Sequence, residues 1–153
     1  MKILGIDPSL CKTGWGLIEV QNDNLIHISH GVIKIKPTMR IEARLAMLFD
    51  SISTLLVQIQ PDLIALEETF CGVNSATNIR LGFASGAIMA SAGKAGIELR
   101  MYATRLIKRS VTGNGAATKA EVRQSVLGIL NLGEIDSLDS SDALAVAIAS
   151  KYC

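Results

Sequence analysis

The segment KILGIDPSLCKTGWGLIEV, residues 2–20, contains two apolar runs separated by turn-forming residues. The first run covers residues 2–6 and ends at Asp7-Pro8, and the second covers residues 13–20. Short apolar runs that are bounded by turn residues are typical of β-strands. The segment therefore predicts a β-hairpin that places Asp7 at the carboxyl end of its first strand.

The residues after this hairpin predict a third strand and a long helix. Apolar and polar residues alternate between positions 25 and 36, and a shift of phase at Gly31-Val32 predicts a β-bulge. From Thr38 onward the apolar residues follow the spacing of an amphipathic helix, which ends before Pro61. Three antiparallel strands thus precede a helix.

The following residues alternate strand and helix. Residues 62–66 predict a buried strand that ends at Glu67, and residues 97–102 predict a fifth strand. Between them, Asn74 or Ser75 can cap a helix that continues to about Ala92. A strand, a helix and a further strand in this order indicate parallel strands joined by a crossover.

Three helices are predicted in the last third of the chain. A short basic helix follows Thr104, the capping box Thr118-x-x-Glu121 opens another, and a last helix starts near Asp139. The whole pattern predicts one α/β domain over residues 1–153. Its mixed five-stranded sheet has three antiparallel strands followed by parallel strands, and helices flank it.

Composition narrows the class of protein. Of the 153 residues, 49% are hydrophobic and 19% are charged, which excludes disorder, and no apolar stretch is long enough for a membrane helix. The three cysteines follow no C-x-x-C spacing, so we expect neither a disulfide framework nor a zinc site, and a reducing cytoplasm fits best.

Four acids are candidates for a functional site. Asp7 and Glu67 end strands at the edge where ligands collect in open α/β sheets. Asp139 and Asp142 are three residues apart and share one face of a helix. Each acid also has a structural interpretation: the first two as polar strand ends, and the second two as first-turn acids of a helix capped by Ser140-Ser141.

Clustered carboxylates suit a particular kind of metal. Oxygen ligands with no His or Cys beside them favour Mg²⁺ or Mn²⁺, and two such ions can hydrolyse a phosphodiester. The chain has 15 Lys and Arg against 14 Asp and Glu. If metal ions neutralise the four acids, the remaining surface is distinctly positive, as nucleic-acid binding requires.

Four motifs are spread along nearly the whole chain: Gly5-Ile6-Asp7-Pro8, Thr13-Gly14-Trp15-Gly16, Pro61-Asp62-x-x-Ala65-Leu66-Glu67 and Asp139-x-x-Asp142-Ala143-Leu144-Ala145. Together they closely resemble the bacterial RuvC-type Holliday junction resolvases. The resemblance implies an RNase H-like fold and a homodimer that nicks four-way DNA junctions symmetrically, with Mg²⁺, in recombination and repair. It implies as metal-binding catalytic acids Asp7, Glu67, Asp139 and Asp142.

The same resemblance implies further partners and contacts. Phe70, Lys108 and Lys119 match positions that contact DNA in the family, although alone they equally suit a core aromatic and two solvated lysines. A RuvAB branch-migration complex is implied as a further partner. The small residues of the helix over positions 75–92 predict that it contributes to the dimer interface.

Some features depart from the family or leave other functions open. Ser9 stands where the family usually has glycine, and Phe83 and Ser85 stand where relatives carry Gln and Arg. The first hairpin also vaguely resembles the phosphate loop of actin-type and sugar-kinase ATPases, which need two such domains. Another nuclease of the same fold and a non-catalytic junction-binding protein are the remaining alternatives.

Overall fold

The structure is a computed structural model that describes residues 1–68 and 76–153 as a central sheet with helices on both faces. The elements, in chain order, are β1 (Lys2–Asp7), β2 (Lys12–Gln21), β3 (Asn24–Lys34), α1 (Ile41–Ile59), β4 (Leu63–Glu68), α2 (Ala76–Ala95), β5 (Glu98–Ala103), α3 (Thr104–Thr112), α4 (Lys119–Ile129) and α5 (Leu138–Lys151).

The sheet has the strand order β3-β2-β1-β4-β5. Strands β1, β2 and β3 pair antiparallel, whereas β4 runs parallel to β1 and β5 runs parallel to β4. This confirms the predicted α/β fold with a mixed five-stranded sheet. Because Ile6 of β1 pairs with Leu66 of β4, Asp7 and Glu67 leave the sheet at the same edge.

Two apolar cores hold the helices to the sheet, one on each face. Successive residues of a strand point to opposite faces, so Leu63 and Ala65 enter one core while Ile64 and Leu66 enter the other. Helices α1 and α2 complete the core of the second face, and α3, α4 and α5 complete the core of the first.

Helix α5 lies directly on the first hairpin because glycines leave room for its backbone. A Cβ atom on Gly5 would lie 2.0 Å from the carbonyl oxygen of Ala143, and one on Gly14 would lie 2.0 Å from that of Asp139. A Cβ on Gly16 would meet the Leu144 side chain at 2.6 Å. The first two turns of α5 are thereby brought beside the end of β1.

Two local predictions are wrong. The register shift lies between Leu17 and Ile18 and not at Gly31, which instead packs under Trp15: its Cβ would be 2.9 Å from the indole. Glycine is present there for close packing. Ser140 and Ser141 do not cap α5 but are buried within it, and the Ser140 hydroxyl donates to the carbonyl of Gly31 at 3.1 Å.

Other helix ends follow their sequence signals. Thr118 caps α4 and forms the predicted capping box with Glu121. Gly113 ends α3 with a φ of 80°, a conformation that favours glycine. No helix within residues 1–68 and 76–153 combines the length and apolarity that a membrane crossing requires.

We predict that Gly5→Ala destabilises the fold by about 3 kcal/mol, because the new Cβ collides with backbone atoms of α5 that cannot rotate away. Gly128→Ala is the matched control: its Cβ enters open space within α4, where alanine is favoured over glycine by about 1 kcal/mol. Urea unfolding of both variants measures the difference. Equal stability of the two would show that α5 is free to shift outward.

Candidate active site

A cavity of about 320 Å³ opens at the carboxyl ends of β1 and β4. Three of the predicted acids, Asp7, Glu67 and Asp142, line it, together with both predicted lysines, Lys108 and Lys119. These residues come from β1, β4, α5, α3 and α4, so the cavity is assembled from distant parts of the chain.

Asp7 is the most strongly perturbed acid in this cavity. Burial, and then repulsion from Glu67 and Asp142, raise the pKa of its carboxyl group from 3.8 to about 7, while the Lys119 ammonium acts in the opposite direction. Burial and the neighbouring carboxylates therefore oppose the ionisation of Asp7, as is common in functional sites.

Glu67 is held by a residue that the sequence analysis missed. The Thr104 hydroxyl donates to Glu67 Oε1 at 2.6 Å. Burial raises the pKa of the Glu67 carboxyl, and this hydrogen bond is the largest of the influences that lower it. The only sequence signal is position: Glu67 pairs with Tyr102 of β5, so the residue that begins α3 just beyond β5 lies beside Glu67.

Asp142 is paired with a lysine in this structure. Lys119 Nζ donates to Asp142 Oδ2 at 2.8 Å, and this bond raises the pKa of the Lys119 ammonium. The capping box at Thr118 fixes the start of α4 and thus the position of Lys119. The lysine side chain remains 72% exposed, whereas that of Asp142 is only 18% exposed.

The fourth predicted acid, Asp139, does not line this cavity. Asp139 lines a neighbouring cavity of about 290 Å³, although its charge still contributes to raising the pKa of Asp7. Its Oδ2 atom lies 3.5 Å from the Ser137 hydroxyl. Phe70 falls outside the described residues.

The chemistry of the donor set fits a hard divalent cation. All three acids of the cavity offer carboxylate oxygens, the ligands that Mg²⁺ and Mn²⁺ prefer. Where the chain is described, no three His, Cys, Asp or Glu side chains stand close enough together to hold an ion as they are placed. The acids are therefore neighbours that side-chain rotation would have to gather around a cation.

Comparison with known proteins gives relatives along the whole chain. A sequence model described as crossover junction endodeoxyribonuclease RuvC matches residues 3–150. The protein of that name from Maricaulis maris is 43% identical over 152 residues, which cover 99% of this chain and 91% of the relative. The protein of that name from Citrifermentans bemidjiense is 39% identical over 152 residues, which cover 99% of this chain and 93% of the relative.

Solved structures agree with these sequence matches. A structure described as Thermus thermophilus RuvC superposes with a TM-score of 0.90 at 28% identity, covering 99% of this chain and 94% of that one. Thermus thermophilus RuvC in complex with Holliday junction substrate gives a TM-score of 0.88 at 26% identity over the same shares. On the family match and the identity of these relatives, this chain belongs to the RuvC family of crossover junction endodeoxyribonucleases.

Proposed function

We propose that this chain is a structure-selective endonuclease that resolves four-way DNA junctions by metal-dependent hydrolysis of phosphodiester bonds. The observation that carries this proposal is the single cavity in which Asp7, Glu67 and Asp142 lie beside Lys108 and Lys119. Acids that hold divalent cations and lysines that bind phosphate are the groups that this reaction needs. The complex of Thermus thermophilus RuvC with Holliday junction substrate supports a four-way junction as the DNA.

The proposed cofactor is Mg²⁺, which Mn²⁺ can replace, with two ions per subunit. The proposed ligands are Asp7, Glu67, Asp139 and Asp142. A divalent cation among them would offset the repulsion that raises the pKa of Asp7. When bound, such cations activate a water molecule and stabilise the leaving oxygen of the phosphodiester.

The lysines and one aromatic residue are the proposed DNA contacts. The Lys119 side chain is largely exposed, so its ammonium can exchange Asp142 for a phosphate without crossing the protein interior. Lys108 follows Thr104 by one turn of α3 and lines the same cavity. Phe70, two residues after β4, is proposed to stack on an unpaired base.

A homodimer is proposed because helix α2 has a second apolar face. Ala84 and Ile88 are buried in the protein core, whereas Ile79, Phe83 and Met89 are 58%, 47% and 45% exposed. A two-fold axis relates the two nicks that resolve a junction, and a symmetric dimer provides two active sites with that symmetry. Phe83, one of the departures from the family, thus lies on the proposed interface, and Ser85, the other, is buried.

We propose that residues 1–153 act as one nuclease domain in the cytoplasm, with the RuvAB complex as a further partner. The alternatives are a different nuclease of this fold and a non-catalytic junction-binding protein. Cleavage assays on a four-way junction and on a linear duplex distinguish these alternatives. A different nuclease would cleave the linear duplex equally well, and a non-catalytic binding protein would cleave neither DNA.

We predict that the purified protein makes paired nicks in a synthetic four-way junction with Mg²⁺, but not in EDTA or in a linear duplex. Asp7→Asn, Glu67→Gln, Asp139→Asn and Asp142→Asn should each slow cleavage on the order of 100-fold or more, because each removes a ligand charge at constant volume. Junction binding in EDTA should persist. The control is Asp23→Asn, which removes the same charge from an exposed acid in the β2–β3 turn. If one of the four site variants cleaves at the wild-type rate, the acid changed in that variant does not belong to the proposed site.

We predict that the metal-free protein loses stability as pH rises from about 4 to about 7. The pKa of the Asp7 carboxyl is higher in the folded than in the unfolded chain, so the folded state binds more protons between these two pKa values. The free energy of unfolding therefore falls as pH rises through this range and stops falling above a pH of about 7. Urea unfolding in EDTA at pH 5 and pH 8 should differ by about 3 kcal/mol more in the wild type than in Asp7→Asn. An equal pH dependence of the two proteins would contradict the raised pKa.

We predict that Gly86→Arg converts a dimer into a folded monomer. A Cβ at Gly86 enters open space among the described residues, so the new side chain fits the single chain and would meet a second subunit on the outer face of α2. Gly128→Arg, also an open helical position, is the control. Light scattering at micromolar protein should show a dimer for the wild type and Gly128→Arg, and a monomer that nicks junctions singly for Gly86→Arg. A dimeric Gly86→Arg protein would place the interface elsewhere.

A further inference from the structure

Two lysines stand opposite each other at the sheet edge where the proposed active site lies. Lys12 begins β2, Lys34 ends β3, and the two are partners in the register of these antiparallel strands. Both side chains are exposed. Like charges directly opposite each other across two strands are destabilising. At the opposite end of the same sheet, the cross-strand pair has opposite charges, since Lys2 of β1 faces Glu19 of β2.

The lysine pair belongs to the same face as the acids. Residues two apart in a strand share a face, and Gly14, two residues after Lys12, packs against the backbone of Asp139 in α5. Accordingly, Lys12 and Lys34 line the cavity of about 290 Å³ that Asp139 also lines. The pair therefore lies beside the proposed metal ligands, on the side away from Lys108 and Lys119.

The distance from Asp7 follows from the strand register. Asp7 pairs with Gly14, so Lys12 lies one strand across and two residues further along, and Lys34 lies two strands across. Standard strand geometry gives roughly 8 and 12 Å from Asp7 to the two Cα atoms. Long lysine side chains can close such a gap to phosphates that neighbour the one at Asp7.

The backbone that carries Lys12 is well held. The Ser9 hydroxyl oxygen accepts hydrogen bonds from the amides of Cys11 and Lys12 at 3.2 and 3.3 Å. Ser9 has no positive φ, so its turn does not need the glycine that the family usually has there. This departure from the family pattern therefore fixes the turn that leads from Asp7 to Lys12.

The two ammonium groups are available for an anion. Within residues 1–68 and 76–153, neither has a hydrogen-bond or ion-pair partner. Two acids, Asp136 and Asp139, also line the cavity, but neither forms an ion pair with these lysines: His30 Nε2 lies 3.1 Å from Asp136 Oδ1, and the Ser137 hydroxyl lies 3.5 Å from Asp139 Oδ2. With Asp139 bound to the proposed cation, the two lysines outnumber the one acid that remains.

We propose that Lys12 and Lys34 form a second phosphate-binding subsite, which holds the sugar-phosphate backbone of a DNA strand next to the phosphate that is cleaved. This inference rests on the proposed function. The strand would cross the carboxyl edge of the sheet from β5 to β3, with Lys108 and Lys119 on one side of the acids and the lysine pair on the other. Lysine acts in such a contact as a point charge that positions the backbone without reading sequence.

The test is the salt dependence of junction binding in EDTA, where no cleavage occurs. The double variant Lys12→Ala/Lys34→Ala should bind about tenfold more weakly near physiological salt, and its plot of log affinity against log salt should be shallower by about 2, because each lost phosphate contact contributes about 0.9. Lys12→Arg/Lys34→Arg should retain the wild-type slope. The matched control is Lys2→Ala/Lys94→Ala, which removes the same charge at the opposite end of the sheet and should leave the slope unchanged.

Neutral methylphosphonates, placed one at a time beside the cleaved phosphate, locate the contact. The wild type should lose affinity at one or two positions, and the Lys12→Ala/Lys34→Ala protein should be insensitive there. If its slope changes no more than that of the Lys2→Ala/Lys94→Ala control, this subsite does not exist, even though the wild type cleaves junctions. If the wild type itself neither binds nor cleaves a junction, the proposed function fails instead.

Discussion

Helix α5 reaches its place only because strands β1 and β2 carry no side chains where it crosses them. At Gly5 and Gly14 the helix backbone lies where a Cβ atom would be, and such a contact cannot be relieved by rotating a side chain. Asp139 and Asp142 are in the first two turns of that helix, so any outward shift of α5 carries both away from Asp7. The geometry of the proposed site therefore depends on the absence of side chains at Gly5 and Gly14 as much as on the acids themselves. Glycine weakens a strand, and the buried residues on both faces of the sheet offset that cost.

The same packing concentrates negative charge in a partly buried place. Burial and neighbouring carboxylates both raise the pKa of Asp7, so the fold holds this acid where its charged form is disfavoured. The Thr104 hydroxyl on Glu67 and the Lys119 ammonium on Asp142 moderate the effect, and the charge of Lys108 acts on Glu67 in the same direction. A site that costs stability in the absence of its cation is expected when the cation is part of the working protein.

The sequence was sufficient to predict the sheet and the edge at which the acids meet, because both follow from local periodicity and chain order. Alternating strands and helices imply parallel β1 and β4, and parallel strands end at one edge, which placed Asp7 beside Glu67. Features that depend on contacts between distant residues could not be predicted. Gly31 is needed because the indole of Trp15 packs against it. Thr104 lies beside Glu67 because of the register between β4 and β5. The direction of the Asp139 side chain depends on rotamers that no spacing encodes.

The charge distribution explains how a chain with a net charge of only +1 suits a polyanion. Binding depends on where charges lie, and along this sheet edge lysines flank the acids on both sides. The acids themselves repel DNA until cations neutralise them, and the phosphates that DNA brings attract those same cations. A bound cation thus removes the repulsion that DNA would meet, and bound DNA adds phosphates that attract the cation. Because such coupling is reciprocal, the factor by which a divalent cation strengthens junction binding must equal the factor by which the junction strengthens cation binding. With the proposed ligands, metal and DNA would each strengthen the binding of the other, although DNA can still bind through the lysines when no metal is present.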